Sequence, residues 1–246
     1  MKKLLALVFF AGWALLGFSQ DENTSATDRK NVVKFLPVNL PFQSISFEYE
    51  RMINAKNSVI LGVGLPNQKS LIGKYGITDE EDLKSAEIGT MHIRAAYRHY
   101  AGKSMLPRGF YIEPYLKYQK ITGNAGISGV DEETSEPYKG EFDINLNTMN
   151  VGFQLGAQFL IAKRISLDFY FLGLEAGFLS GDASATSDVI EDIDNLKADI
   201  DEAIEDLPSF IGDKLTVTQS GNKVNVNASN APYPWFRGGI SIGIAF

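Results

Sequence analysis

The last stretch of the chain, residues 234–246, constrains its fold more than any other. Five apolar residues share one parity there: Phe236, Ile240, Ile242, Ile244 and Phe246. Small residues and one arginine take most of the other parity. A side-chain period of two predicts a β-strand with one apolar face and one small or polar face. Because a terminal strand exposes hydrogen-bonding groups at a sheet edge, we expect it to pair with the first strand and close a barrel.

Seven further stretches alternate in the same way and, with the last one, predict about eight strands. They are residues 32–39, 44–51, 58–65, 89–100, 110–120, 144–161 and 165–178. Pro37 interrupts the first, and the alternation blurs near residues 173–177, where we expect a bulge. Segments 66–87 and 123–141 predict loops, and residues 179–233 form a longer insertion. After the first turn, short and long connections alternate, which is typical of outer-membrane barrels.

The composition is compatible with a membrane barrel and excludes several kinds of site. Hydrophobic residues make up 44% of the 246 residues, which suits a barrel because only alternate residues would face lipid. The chain has no cysteine and only two histidines, so we predict no disulfide, no metal site, no cofactor and no lipid-anchored cysteine. The formal net charge of −7 argues against nucleic acid as a partner.

The N-terminus has the pattern of a secretory signal. Lys2 and Lys3 precede an apolar run over residues 4–16, and the small residues Gly17 and Ser19 follow. We therefore predict a signal peptide at 1–19, a periplasmic lead-in at 20–31 and the barrel at 32–246, with both termini in the periplasm. The alternative is an N-terminal membrane anchor, for which the apolar run is short.

The less apolar face of the strands carries charges of both signs, which predicts the sidedness of the barrel. We predict that eight of these charges form a barrel-interior ion-pair network: Glu48, Glu50, Arg94, Arg98, Glu113, Lys117, Asp168 and Arg237. Buried charges need partners, and the opposite face is nearly uncharged over one hydrocarbon thickness. The alternative is a periplasmic or secreted soluble β protein, in which the apolar face would point inward.

Three short stretches carry a family resemblance: SISFEYER at 44–51, Asn57-Ser58 at a turn exit, and GFYIEPY at 109–115. With the strand pattern, they resemble the small outer-membrane β-barrel proteins of Bacteroidetes and, more broadly, OmpA/OmpX-type barrels. The resemblance implies an all-β, antiparallel up-and-down transmembrane β-barrel of about eight strands, located in the bacterial outer membrane among its lipids. It also implies that Phe246 is the assembly signal that the barrel assembly machinery reads. No peptidoglycan-binding domain follows the barrel, so cell-wall anchoring is not implied.

The insertion at residues 179–233 predicts an acidic helix followed by a hairpin. Residues 187–207 carry an apolar stripe at helical spacing: Val189, Ile193, Leu196, Ile200, Ile204 and Leu207. Ser187 would cap this helix and Pro208 would end it, while Ser220-Gly221-Asn222 marks the hairpin turn. The stripe packs on the hairpin or barrel rim, or it forms a docking surface for an outer-membrane partner protein. Divalent cations are a third interpretation of the acidic faces, although no EF-hand spacing is present.

These patterns predict a non-enzymatic protein with a structural or surface-interaction role. Side chains fill the interior of a barrel of eight strands, which argues against an open pore. The alternative is an accessory subunit of a larger outer-membrane complex. A lipid-modifying enzyme is a further alternative, since His92 is predicted inward and Glu113 would orient it. Ser44 and Ser46 also point inward but lie two strands away, and His99 is predicted at the membrane interface.

Overall fold

The computed structural model describes residues 29–67, 69–70, 83–130 and 137–246. The predicted signal peptide and most of the predicted lead-in lie outside the described residues. The strands are β1 (Asn31–Phe35), β2 (Ser44–Met52), β3 (Asn57–Pro66), β4 (Lys69–Ser70), β5 (Leu83–Tyr100), β6 (Gly109–Val130), β7 (Pro137–Ile161), β8 (Ile165–Ser187), β9 (Leu215–Ser220), β10 (Lys223–Pro232) and β11 (Trp235–Ala245). Two α-helices lie between β8 and β9: α1 (Ile190–Glu205) and α2 (Ser209–Gly212).

The strands form one antiparallel up-and-down sheet that closes in a ring. Eight strands complete the circuit in the order β1, β2, β3, β5, β6, β7, β8 and β11. Val32 of β1 lies opposite Ala245 of β11, which confirms that the last strand pairs with the first. The prediction of about eight strands is not exact, because the described residues form a sheet of eleven strands. The short β4 pairs with β5, β10 pairs with the upper part of β8, and β9 pairs with β10.

The two ends of the ring differ. At the turn end, short connections at residues 53–56, 101–108 and 162–164 join the strands. At the loop end, four strands continue further than the sequence predicted, and β6 stays paired with β7 from Gly109–Gln158 to Val130–Pro137. The predicted loop at 123–141 is therefore wrong, apart from residues 131–136, which are not described. Backbone groups make the ladder hydrogen bonds, so a polar, glycine-rich sequence remains in a strand when neighbouring strands supply partners.

Two local predictions need correction. The first strand ends at Phe35, and a single 3-10 turn over Pro37–Asn39 follows, because proline has no amide hydrogen to donate to a sheet. The bulge lies in β8 but earlier than expected. Leu155 lies opposite Leu172 and Gly156 opposite Tyr170, so Phe171 is the extra residue. This residue shifts the inward parity of β8 from even to odd numbers.

The insertion contains the predicted helix and hairpin, with different bounds. Helix α1 begins at Ile190 and Val189 caps it without a side-chain hydrogen bond, because Ser187 still belongs to β8. The Ser187 hydroxyl instead accepts a hydrogen bond from the Val189 amide at 3.1 Å. The helix ends at Glu205, and Pro208 precedes α2. Gly221, at a φ of 60°, turns β9 into β10, which confirms the hairpin.

Candidate functional site

The wall of the ring separates two kinds of side chain. On β2 the even-numbered residues from Ser44 to Met52 are buried, and Phe47 and Tyr49 between them are exposed. The same alternation runs through β3, where Leu61 is 62% exposed and Ile60 only 1%. Most of the large apolar side chains of the ring therefore face outward and most of the polar ones face inward, which reverses the usual distribution in a soluble protein.

All eight predicted network residues lie inside the ring, where the first group of ion pairs surrounds Asp168. Its Oδ2 lies 2.7 Å from Nζ of Lys34 and 2.9 Å from Nη1 of Arg98. Lys34 also lies 2.7 Å from Oε2 of Glu50. The Tyr111 hydroxyl donates to the other oxygen of Asp168 at 2.7 Å. These groups are almost fully buried, so each charge is compensated at short range.

Glu113 links this first group to a second one nearer the loop end. One oxygen of Glu113 accepts from Nε of Arg98 at 2.5 Å, and the other pairs with Nη1 of Arg94. Arg94 donates in turn to Oε1 of Glu48, from Nη2 at 2.5 Å and from Nε at 3.1 Å. One continuous chain of charges therefore connects β1, β2, β5, β6 and β8 across the interior.

A third group uses a residue that the alternation did not identify. Lys117 lies 2.5 Å from Oε2 of Glu175, and the Tyr115 hydroxyl donates to Oε1 of Glu175 at 3.0 Å. The bulge at Phe171 turns Glu175 inward, which a regular period of two does not anticipate. Lys34 was missed as well, because Pro37 obscured the parity of the first strand.

Arg237 is bound differently from the other interior cations. Its closest carboxylate oxygen, Oε1 of Glu48, is 4.0 Å away and already accepts two hydrogen bonds from Arg94. The guanidinium carbon lies 4.7 Å from the ring centre of Tyr170 and 5.3 Å from that of Tyr115. Gly173 on β8 makes room for it, since a Cβ there would lie 2.3 Å from Cγ of Arg237.

The candidate catalytic residues are only partly brought together. His92 on β5 and Ser44 on β2 both lie next to Gly64 on the strand between them. A Cβ added to Gly64 would lie 2.3 Å from Nδ1 of His92 and 2.6 Å from Oγ of Ser44. Glu113 was predicted to orient His92. Its two carboxylate oxygens instead pair with Arg94 and Arg98. Ser44 Oγ lies 3.1 Å from Oγ of Ser46. His99 contacts Oδ1 of Asn57 through Nδ1 at 2.7 Å.

A cavity of about 670 Å³ lies above the network, at the loop end of the ring. Its base is formed by Arg94, Lys117 and Arg237 together with His92 and Tyr170. Its walls are mainly apolar and come from the β1–β2 connection, from β5 and β6, and from the start of β11. They include Val38, Phe42, Ile88, Ile121, Tyr233 and Trp235. The rings of Tyr233 and Trp235 stack at 5.7 Å.

The predicted partner surface of the insertion lies largely against its own chain. Helix α1 contacts β8, β9 and β10, and Ile193 is 2% exposed. Leu196, Ile200 and Ile204 are half-buried, whereas Val189 and Leu207 at the two ends are exposed. The predicted assembly residue Phe246 is exposed, and its backbone exchanges hydrogen bonds with Asn31 at 2.9 and 3.1 Å.

The described part of the chain offers few other sites. It contains no group of three or more histidine, aspartate or glutamate side chains placed to hold a metal ion. No helix within the described ranges combines the length and apolar character needed to cross a membrane. The chain matched no family model, no curated protein and no solved structure.

Proposed function

We propose that this chain is an integral outer-membrane β-barrel protein with a closed polar core and a non-enzymatic, structural or surface-interaction role. The observation that carries the proposal is the inverted distribution of side chains around the ring. Leu61, Leu116, Val151 and Ile244 are each more than half exposed, while Lys34, Arg94 and Arg98 on the inner wall are at most 2% exposed. Lipid is the solvent that favours this arrangement, since an apolar exterior of this extent is unfavourable in water.

The height of the apolar surface also supports membrane insertion. On β6, the outward-facing residues from Phe110 to Tyr118 are apolar or aromatic, and Lys120 follows. Eight residue steps at about 3.4 Å span roughly 27 Å along the strand, or about 21 Å along a barrel axis at a tilt of about 40°. The apolar band of outer-membrane barrels is about 25 Å tall. The short turns would then face the periplasm and the longer loops the exterior.

The filled interior supports a role that does not involve conduction. The largest fully buried side chains include Arg94, Arg98, Tyr100 and Gln158. Tyr100 donates to Glu50 at 2.6 Å and Arg98 lies 3.6 Å from the ring centre of Tyr111, so these groups pack across the lumen. A ring of eight strands is wide enough for side chains to fill it or to hold one small ligand, but it is too narrow for an open aqueous channel.

Site-directed spin labelling in lipid vesicles tests the proposed sidedness. The chain has no cysteine, so single substitutions on β7 place each label without background. We expect a label at Val151→Cys to be accessible to oxygen but not to a water-soluble nickel complex, and a label at Asn150→Cys to be protected from both. Glu141→Cys, on the exposed part of β7 beyond the ring, is the control that the nickel complex should reach. Equal nickel accessibility at positions 151 and 141 would contradict membrane insertion.

A second candidate function is that of an accessory subunit in a larger outer-membrane complex. Leu207 and Phe210 favour it, because they are 37% and 62% exposed beside an otherwise packed helix. The partner would be another outer-membrane protein that contacts the insertion. Mild detergent extraction from the native membrane, followed by native mass measurement, tests this candidate. A species of one chain for both the parent and Phe210→Asp would exclude it, whereas a heavier parent complex that Phe210→Asp dissociates would support it.

A further inference from the structure

We propose that the cavity at the loop end binds a single-chain amphiphile with an anionic head group. Apolar walls and a cationic base are combined there, so one ligand would place its head on Arg237 and its chain against Phe42, Ile88 and Ile121. The inference goes beyond the proposed function, because neither a structural barrel nor a complex subunit requires a small-molecule site.

The charge distribution around the cavity is the first argument. Among the described residues, three basic side chains line it and no acidic one does, although the whole chain carries a net charge of −7. The carboxylates of Glu48, Glu113 and Glu175 lie behind these cations and do not line the cavity. An anion entering from the loop end would therefore meet guanidinium and ammonium groups first, in a partly desolvated place where charge interactions are strong.

The incomplete pairing of Arg237 is the second argument. Within the described parts of the chain, Lys34, Arg94, Arg98 and Lys117 each have a carboxylate oxygen within 2.9 Å, and for Arg237 the shortest such distance is 4.0 Å. Its side chain is also the most exposed of these five cations, at 15%. A planar guanidinium presents several donors in a fixed geometry, which suits a carboxylate or phosphate head group.

The size and lining of the cavity are the third argument. Small-molecule sites are concave, of about 300–1,000 Å³, and mainly apolar with a few convergent polar groups. The present cavity has about 670 Å³ and matches this description. Phe42, Trp235 and Phe236 line it and are all at least half exposed, and an alkyl chain lying against them would remove apolar surface from water.

The sequence provides a site-specific probe for this ligand. The two tryptophans are Trp13, in the predicted signal peptide, and Trp235, in the cavity wall. Expression of the full chain with Trp13→Phe leaves Trp235 as the only tryptophan. Binding of 11-(dansylamino)undecanoate to the purified protein in lipid nanodiscs is then measured by energy transfer from Trp235, with empty nanodiscs as the blank.

The experiment has one arm for the head group and one for the cavity. We expect saturable energy transfer that dodecanoate or dodecyl phosphate reverses, and the stronger competitor identifies the head group. Dodecanol should compete at least about tenfold more weakly, and Arg237→Gln should weaken probe binding by about tenfold or more. Ile121→Trp fills the cavity without changing its charge and should abolish saturable binding. This variant also carries Trp235→Phe, so the dansyl probe is excited directly instead of by energy transfer. Lys197→Gln, on α1 and outside the cavity, is the matched control for loss of a cation.

Three results would overturn the inference. Energy transfer that rises without saturation, as in empty nanodiscs, would show partitioning into lipid only. Equal competition by dodecanol and dodecanoate would exclude recognition of the anionic head. Unchanged binding in both Arg237→Gln and Ile121→Trp would show that the probe binds outside the cavity. If Arg237→Gln does not fold, Ile121→Trp alone decides the test.

Discussion

Neutralising Glu113 should cost the ring several kcal/mol of stability, on the order expected for breaking a buried ion pair. Its two carboxylate oxygens pair with Arg94 and Arg98, and its side chain is fully buried. Each hydrogen bond to a charged group contributes about 1.5–3 kcal/mol, and breaking a buried pair from one side costs about 3–5 kcal/mol. We therefore expect Glu113→Gln to lower the free energy of unfolding by about 3–5 kcal/mol, because it leaves the two guanidiniums one negative charge short.

Guanidinium-induced unfolding in lipid vesicles, followed by tryptophan fluorescence and by the mobility of unheated protein in gels, measures this loss. Glu141→Gln removes the same charge from an exposed position of β7 and should change the stability by no more than about 0.5 kcal/mol. The double variant Arg94→Gln/Glu113→Gln restores the interior charge balance. Its cost should fall below the sum of the single costs by at least about 1 kcal/mol. Equal effects of Glu113→Gln and Glu141→Gln, or strictly additive single effects, would refute the network.

Four further changes probe other parts of the molecule. Gly173→Ala should lower the unfolding free energy in the same vesicle assay by about 1–3 kcal/mol, because its Cβ would meet Arg237 at 2.3 Å; no change would mean that the arginine moves freely. Ile193→Ala should speed hydrogen exchange in α1 while leaving the gel mobility of the ring unchanged, since Ile193 is buried and belongs to a helix of the insertion; unaltered exchange would contradict its packing role. Lys197→Ala removes a half-exposed pair with Asp201 four residues away and should cost at most about 0.5 kcal/mol in chemical unfolding. Deletion of Phe246 should reduce the folded fraction in outer-membrane preparations, and parent-level assembly would contradict its predicted role.

The polar interior was predictable from the sequence because a strand has a local period of two. That period assigns Glu48, Arg94 and Glu113 to one face of their strands without any knowledge of their neighbours. The terminal strand predicted closure of the sheet in the same way, since an unpaired edge would expose hydrogen-bonding groups. These inferences needed only a few consecutive residues at a time.

The predictions failed where the local rule changes along a strand. Phe171 adds one residue to β8 and turns Glu175 inward. In the short β1, Pro37 interrupts the alternation, so the inward orientation of Lys34 was not predicted. The extensions of β6 and β7 were missed for another reason: glycines in β6 and charged residues in β7 interrupt the apolar alternation there. Pairing with neighbouring strands holds these segments in the sheet. The cavity was not predicted either, because its walls and base together come from five separate parts of the chain.

The alternating sequence by itself determined which side chains share a face of each regular strand, because the backbone geometry of a single strand sets that choice. Only the tertiary structure decided which inward charges meet. Lys34 and Asp168 are 134 residues apart in the chain, and their contact depends on the register of every strand pair and on the width of the ring. The same long-range geometry leaves Arg237 farther from a carboxylate than the other interior cations, beneath an apolar cavity.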